Sequence, residues 1–196
     1  MRLSKWEKAV RLAPFAVALV MLIPAAAPAA IMTFEHVGVG AGSLAGVPFP
    51  ASSFTITALG DTAARQSLGF GYWIDHTSAS IAIAGLGSYS FVTGTRTFVS
   101  NTGNIVGFSR AGGGGLDLFN GPADPAFGSW DELTPIGPIS GQGGLLQWTN
   151  IPVDTSGGVL VFDNAANVPI TFTAFIPEPA AFSLLSVVGL VVRRRR

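Results

Sequence analysis

Apolar and polar residues alternate with period two along most of this chain. Phe54, Ile56 and Ala58 alternate with Ser53, Thr55 and Thr57. Ile81 and Ile83 alternate with alanines and Ser80, and Ile170, Phe172 and Ala174 with Thr171, Thr173 and Phe175. A longer stretch over residues 89–99 has the same character, with Phe91, Thr93 and Thr95 on one face. Residues 159–162 form a short, wholly apolar run. In an extended chain successive side chains point to opposite faces, so these runs predict strands with one face buried. Glycine- and proline-rich breakers separate them at 38–46, 60–61, 85–87, 112–115, 121–122, 137–138, 141–144 and 156–158. Breakers at roughly eight to fifteen residues suit an all-β domain of many short strands. The pattern predicts a jelly-roll-like β-sandwich of roughly nine or ten strands, with a closed β-barrel as the alternative. Residues 112–144, rich in glycine, proline and acids, read as an extended loop with a turn of helix near 130–133.

Composition agrees with strands and turns. Among 196 residues there are 25 glycines and 14 phenylalanines, and only 11% are charged. There is no cysteine, which excludes disulfides and thiolate metal sites. The overall charge is zero, but eight of the eleven basic residues lie at the two ends. Residues 31–176 keep three arginines against nine acids, a body charge of −6. Without a basic patch such a body is a poor match for nucleic acid.

The ends themselves read as addresses. Residues 1–29 run from a basic segment ending at Arg11, through an apolar stretch, to Pro24 and a run of alanines. That order describes a secretory signal peptide, with cleavage expected after Ala29. The domain then spans 30–175, and a tail occupies 176–196. The tail opens with Pro177, Glu178 and Pro179, continues through an uncharged apolar run from Ala180 to Val192, and ends in Arg193, Arg194, Arg195 and Arg196. As a helix the thirteen-residue run would reach about 20 Å, short of the ~30 Å hydrocarbon core. Flanking residues drawn inwards, bilayer thinning or arginine snorkelling would make up the difference. The arginines would remain on the cytoplasmic side.

These three tail parts, in this order and opposite a signal peptide, resemble the PEP-CTERM sorting signal of Gram-negative bacteria. The resemblance covers about a tenth of the chain. It implies recognition of Pro177, Glu178 and Pro179 by an exosortase, transient inner-membrane insertion of 180–192 as a transmembrane helix, and Arg193–Arg196 as the stop signal. The body would first be held on the periplasmic side, then reach the cell surface or extracellular matrix, where exopolysaccharide is an implied partner.

Candidate chemistry in the body is sparse. Gly38-Val39-Gly40-Ala41-Gly42 lacks the following helix that a phosphate-binding fingerprint requires, and is expected to form a hairpin or edge loop. The two histidines, His36 and His76, each adjoin an acid, Glu35 and Asp75. Strand neighbours point to opposite faces, so neither pair can line one site without a bulge. No Gly-x-Ser-x-Gly elbow occurs. Asp117, Asn120 and Asp124, and separately Asp131 and Glu132, do not match a calcium loop. No catalytic residue, metal ligand or cofactor is therefore assigned. Trp73 is expected to be buried, whereas Trp130, beside Asp131, is the candidate for stacking on a sugar. Three functions remain in play: a non-enzymatic envelope or biofilm-matrix protein, a carbohydrate-binding module, and a secreted hydrolase.

Overall fold

The structure, a computed structural model, describes residues 30–67, 69–112 and 116–177. The signal segment and everything after Pro177 lie outside these residues, as do the two helices expected there. Among the described residues no helix is long and apolar enough to cross a membrane.

The domain is all-β. Its strands are β1 (Ile31–Leu44), β2 (Val47–Asp61), β3 (Gln66–Ser67), β4 (Gly71–Ile83), β5 (Gly87–Ser90) and β6 (Thr95–Ser100). They continue with β7 (Ile105–Arg110), β8 (Asp117–Ala123), β9 (Ile136–Leu145), β10 (Val153–Thr155), β11 (Gly158–Phe162) and β12 (Ala165–Phe175). Eight of them close a ring in the order β1, β2, β4, β6, β7, β8, β9, β12 and back to β1, every pairing antiparallel. The expected two-sheet sandwich is therefore replaced by the barrel alternative. The reason lies in β1. It pairs with β2 from Ile31↔Asp61 to Leu44↔Val47, and on its other edge residues 33–37 pair with β12. That second pairing joins the two ends of the sheet, which a sandwich leaves apart. The upper part of the same edge, Gly42 to Leu44, pairs with β11 instead. β11 pairs with β10, and a Phe91↔Thr155 bridge ties β10 back towards β5.

Local sequence explains much of this. The β1–β2 hairpin turns at Ala45 and Gly46, both at positive φ (50° and 78°), as a two-residue primed turn requires. Phe54, Ile56 and Ala58 of β2 point inward, while Thr55 and Thr57 face out; β12 repeats this with Ile170, Phe172 and Ala174 inside. Gly38, Gly40 and Gly42 form no edge loop. They are the inward positions of β1, and their missing side chains make room for Phe54 and Phe162. A Cβ at Gly42 would stand 2.1 Å from the Val161 carbonyl oxygen.

Two expectations need correction. The 89–99 stretch is not one strand: β5 ends at Ser90 and β6 begins at Thr95. Nor is 112–144 one loose loop, since it supplies two ring strands, β8 and β9. Glycine and proline there do not abolish pairing: β8 pairs with β7 and β9 with β12, although β8 and β9 meet each other only at Phe119↔Leu145 and Asn120↔Gly144. Past that point the backbones meet glycine to glycine: a Cβ on Gly121 would lie 2.6 Å from Gly143 Cα.

Two apolar clusters fill the barrel. One gathers Phe54, Phe119, Trp148 and Phe162 with their neighbours, the other Met32, Phe34, Phe127 and Phe172 with theirs. Residues 124–135, between β8 and β9, fold over one mouth and plug it with Phe127 and Trp130.

Candidate functional site

Of the sorting triplet, Pro177 is the last described residue, just beyond β12. Glu178, Pro179 and Arg193 to Arg196 lie outside the described residues.

Trp130 does not fulfil the stacking role read from its neighbours. It is 5% exposed, and its ring packs on Phe127 and Phe172, at centroid distances of 6.0 and 5.5 Å. Its Nε1 donates to the Thr134 carbonyl at 2.8 Å, and Asn101 Nδ2 donates to its own carbonyl oxygen at 2.9 Å. Buried against Phe127 of the plug and Phe172 of β12, the ring has no free face to offer the solvent. Trp73 departs from expectation in the opposite sense. It is half-buried and sits out of register with inward Ile74, with the Arg96 guanidinium 5.6 Å above its ring. Trp148 is fully buried.

Both histidines point into the barrel, between the two apolar clusters. The His36 ring is enclosed by Phe108, Phe119 and Phe172 at 5.9, 5.6 and 4.8 Å, and neither ring nitrogen has a hydrogen-bond partner. Each such buried, unsatisfied group costs about 1–3 kcal/mol. His76 fares better: Nδ1 lies 2.9 Å from Thr95 Oγ1, and Nε2 lies 3.0 Å from Thr97 Oγ1. Its ring stacks on Phe108 at 5.6 Å. Burial pushes the His36 pKa down to about 3. Burial, and then repulsion from His36, brings His76 to about 3 as well. Both imidazoles are therefore neutral at physiological pH. Thr97 Oγ1 and His76 Nε2 have the spacing of a nucleophile and base, but Thr97 is fully buried. Glu35 and Asp75 project outward, away from their histidine neighbours.

The remaining acids serve local structure. Asp61 and Asp124 accept from the Ala63 and Ala126 amides at 2.8 Å, capping short 3-10 turns. Asp131 accepts from the Leu133 amide and pairs with Arg65 at 3.4 Å. Asp117 accepts from Asn120 Nδ2 at 3.2 Å. Glu132 is fully buried with both carboxylate oxygens unpartnered. Burial raises its pKa well above the ordinary range, opposed by Arg65 and assisted by Asp131. Among the described residues no group of three or more histidines and acids could hold a metal.

One surface feature escaped the sequence. Outside the sparsely paired β8–β9 seam lies a groove of about 500 Å³, lined by Ile105, Asn120, Gln142, Leu146, Asn164 and Asn167 among others. Glycines floor it, because Gly143 packs so closely on β8 that a Cβ would stand 2.2 Å from the Asn120 carbonyl oxygen. Its polar groups are uncharged amides, able to donate and accept hydrogen bonds. Their scatter over residues 120–167 gave no motif; only the repeated pairing of Asn and Gln with glycine hinted at them.

No protein-family model matches the chain, and no curated protein or solved structure matches it either. Class is thus defined by the fold itself, an antiparallel all-β barrel with a packed interior.

Proposed function

We propose that this is an exported, non-catalytic barrel protein of the cell envelope or extracellular matrix. In this reading a signal peptide over residues 1–29 exports it, and an exosortase reads Pro177-Glu178-Pro179. A short helix over 180–192 holds it transiently in the inner membrane until the tail is removed. Association with exopolysaccharide or biofilm is implied by the resemblance of the tail.

The observation that carries this reading is the adjacency of β1 and β12. Thr33 pairs with Phe175, so both terminal segments leave the barrel at one rim and can meet one membrane. A non-catalytic role is supported by the placement of His36, sealed among phenylalanines, and of His76, whose two ring nitrogens are taken up by Thr95 and Thr97. Outward positions such as Thr55, Thr57, Thr171 and Thr173 carry hydroxyls, whereas lipid-facing barrels present an apolar band there.

Replacing Pro177, Glu178 and Pro179 with alanines in a bacterium carrying an exosortase should block tail removal, read as retained precursor mass. Unchanged processing would refute recognition of the triplet. A carbohydrate-binding role is the second reading, and the amide groove favours it, since sugar hydroxyls are matched by neutral donors and acceptors. Gln142→Ala and Asn164→Ala, both at exposed positions, should weaken glycan-array binding of the full chain. A wild-type protein that binds no glycan would sink this reading.

A further inference from the structure

The antiparallel register fixes which strand ends share a rim. Ile31↔Asp61, Gly71↔Ser100, Ser100↔Ile105, Ile105↔Ala123 and Thr33↔Phe175 place the starts of β1, β4 and β7 beside the ends of β2, β6, β8 and β12. On the arc β12–β1–β2–β4 this rim exposes four large apolar side chains. Ile31 is 46% exposed, Phe70 49%, Phe175 41% and Ile176 37%. The opposite rim also shows apolar residues, Val47 and Leu86 among them. Only the first rim is joined directly to the tail. Ile176 lies four positions before Ala180, where the apolar run begins. Four peptide steps, fully extended, span at most about 14 Å. The headgroup layer on one side of a bilayer is roughly 5–8 Å deep. Because the run is about 10 Å short of the hydrocarbon thickness, its insertion draws flanking residues inward and shortens this tether further.

We propose that this rim rests in the lipid headgroup layer, with Ile31, Phe70, Phe175 and Ile176 inserted among the headgroups. The proposal rests on the reading that the tail enters the membrane. The acids of this rim, Asp61, Asp124 and Asp131, outnumber its arginine, Arg65, so attraction to anionic lipid is not the driving force. Apolar insertion into zwitterionic lipid is.

The chain has no cysteine, so single-cysteine reporters can be introduced without background. Phe70→Cys, Ile31→Cys, Val47→Cys and Leu185→Cys variants of the full chain carry an environment-sensitive fluorophore and are reconstituted into phosphatidylcholine vesicles. Phe70 is the informative site, being far from the tail in sequence and brought to its rim only by the fold. Lipids brominated near the headgroup should quench the Phe70 and Ile31 probes, and aqueous iodide should quench them several-fold less than the Val47 probe. Leu185, in the middle of the apolar run, reports on the tail alone. If lipid quenches Leu185 while the Phe70 and Ile31 probes remain as open to iodide as Val47, the rim proposal is overturned and tail insertion stands. If Leu185 is itself open to iodide, tail insertion fails and the rim proposal fails with it.

Discussion

Replacing His36 with phenylalanine tests the sealed polar layer directly. The native ring is fully buried, unpartnered and held at a pKa of about 3 by desolvation, against 6.5 for an exposed histidine. Its folded pKa lies below its unfolded one, so unfolding takes up a proton between those values. Stability is fully present above pH 6.5 and is lost as pH falls towards 3. Integrating that uptake from pH 7 to pH 5 gives a loss of about 2 kcal/mol for one such histidine. A typical domain holds only about 5–15 kcal/mol, so the effect is readily measured. His76 adds a loss of the same sign, whereas Glu132 acts in the opposite direction over this range. For that reason the useful quantity is the difference between variant and wild type, in which Glu132 cancels and His76 changes only by the lost repulsion from His36, which is secondary to its burial. Phenylalanine retains the contacts to Phe108, Phe119 and Phe172 and cannot titrate. Any overpacking by the larger ring is the same at both pH values and also cancels. Urea denaturation followed by circular dichroism at pH 7 and pH 5 supplies the four free energies. His36→Phe should gain about 2 kcal/mol relative to wild type on going from pH 7 to pH 5. An unchanged difference would show that His36 is hydrated or partnered, and the dry core described for it would be wrong.

Trp130→Ala should lower stability by about 3–5 kcal/mol, since it empties the plug. Differential scanning calorimetry should then record a fall in Tm of roughly 10 °C or more, and an unchanged Tm would mean that the ring lies outside the core. Glu132→Gln removes a buried carboxyl whose pKa is raised. The native group loses stability as pH rises through and above the ordinary carboxyl range, so the variant should gain stability relative to wild type progressively between pH 5 and pH 8; denaturant midpoints of both proteins at those values check it. Gly42→Ala should destabilise the domain by about 1–3 kcal/mol, because the new methyl meets the Val161 carbonyl. A neutral effect in the same melts would indicate that β11 does not pack on β1 as described.

Strand identity and facing were legible in residue order wherever alternation was strict. β2 and β12 have their inward and outward positions as the pattern predicts, because a pleated strand next to a core must obey period two whatever it pairs with. The same logic correctly separates each histidine from its acidic neighbour. Chemistry that depends on company rather than order was misread. Trp130 stands beside an acid in a glycine-rich stretch and looks exposed, but residues 124–135 fold back over the barrel mouth and bury it. The amide groove draws on segments far apart in the chain and is floored by glycines where β8 and β9 approach closely beyond Asn120↔Gly144.

Residue order alone thus settles that the body is built from amphipathic strands, that it is acidic, and that basic and apolar segments flank it. Those are local properties, set by side-chain size, charge and the geometry of an extended backbone. Barrel or sandwich is a question of which edges meet. Both architectures bury the same alternate positions, so no local pattern separates them. Closure was decided by Thr33 to Val37 pairing with residues 171–175 at the far end of the domain, a long-range choice made by the packing of the whole core. That pairing also brings the start of β1 and the end of β12 to a single rim.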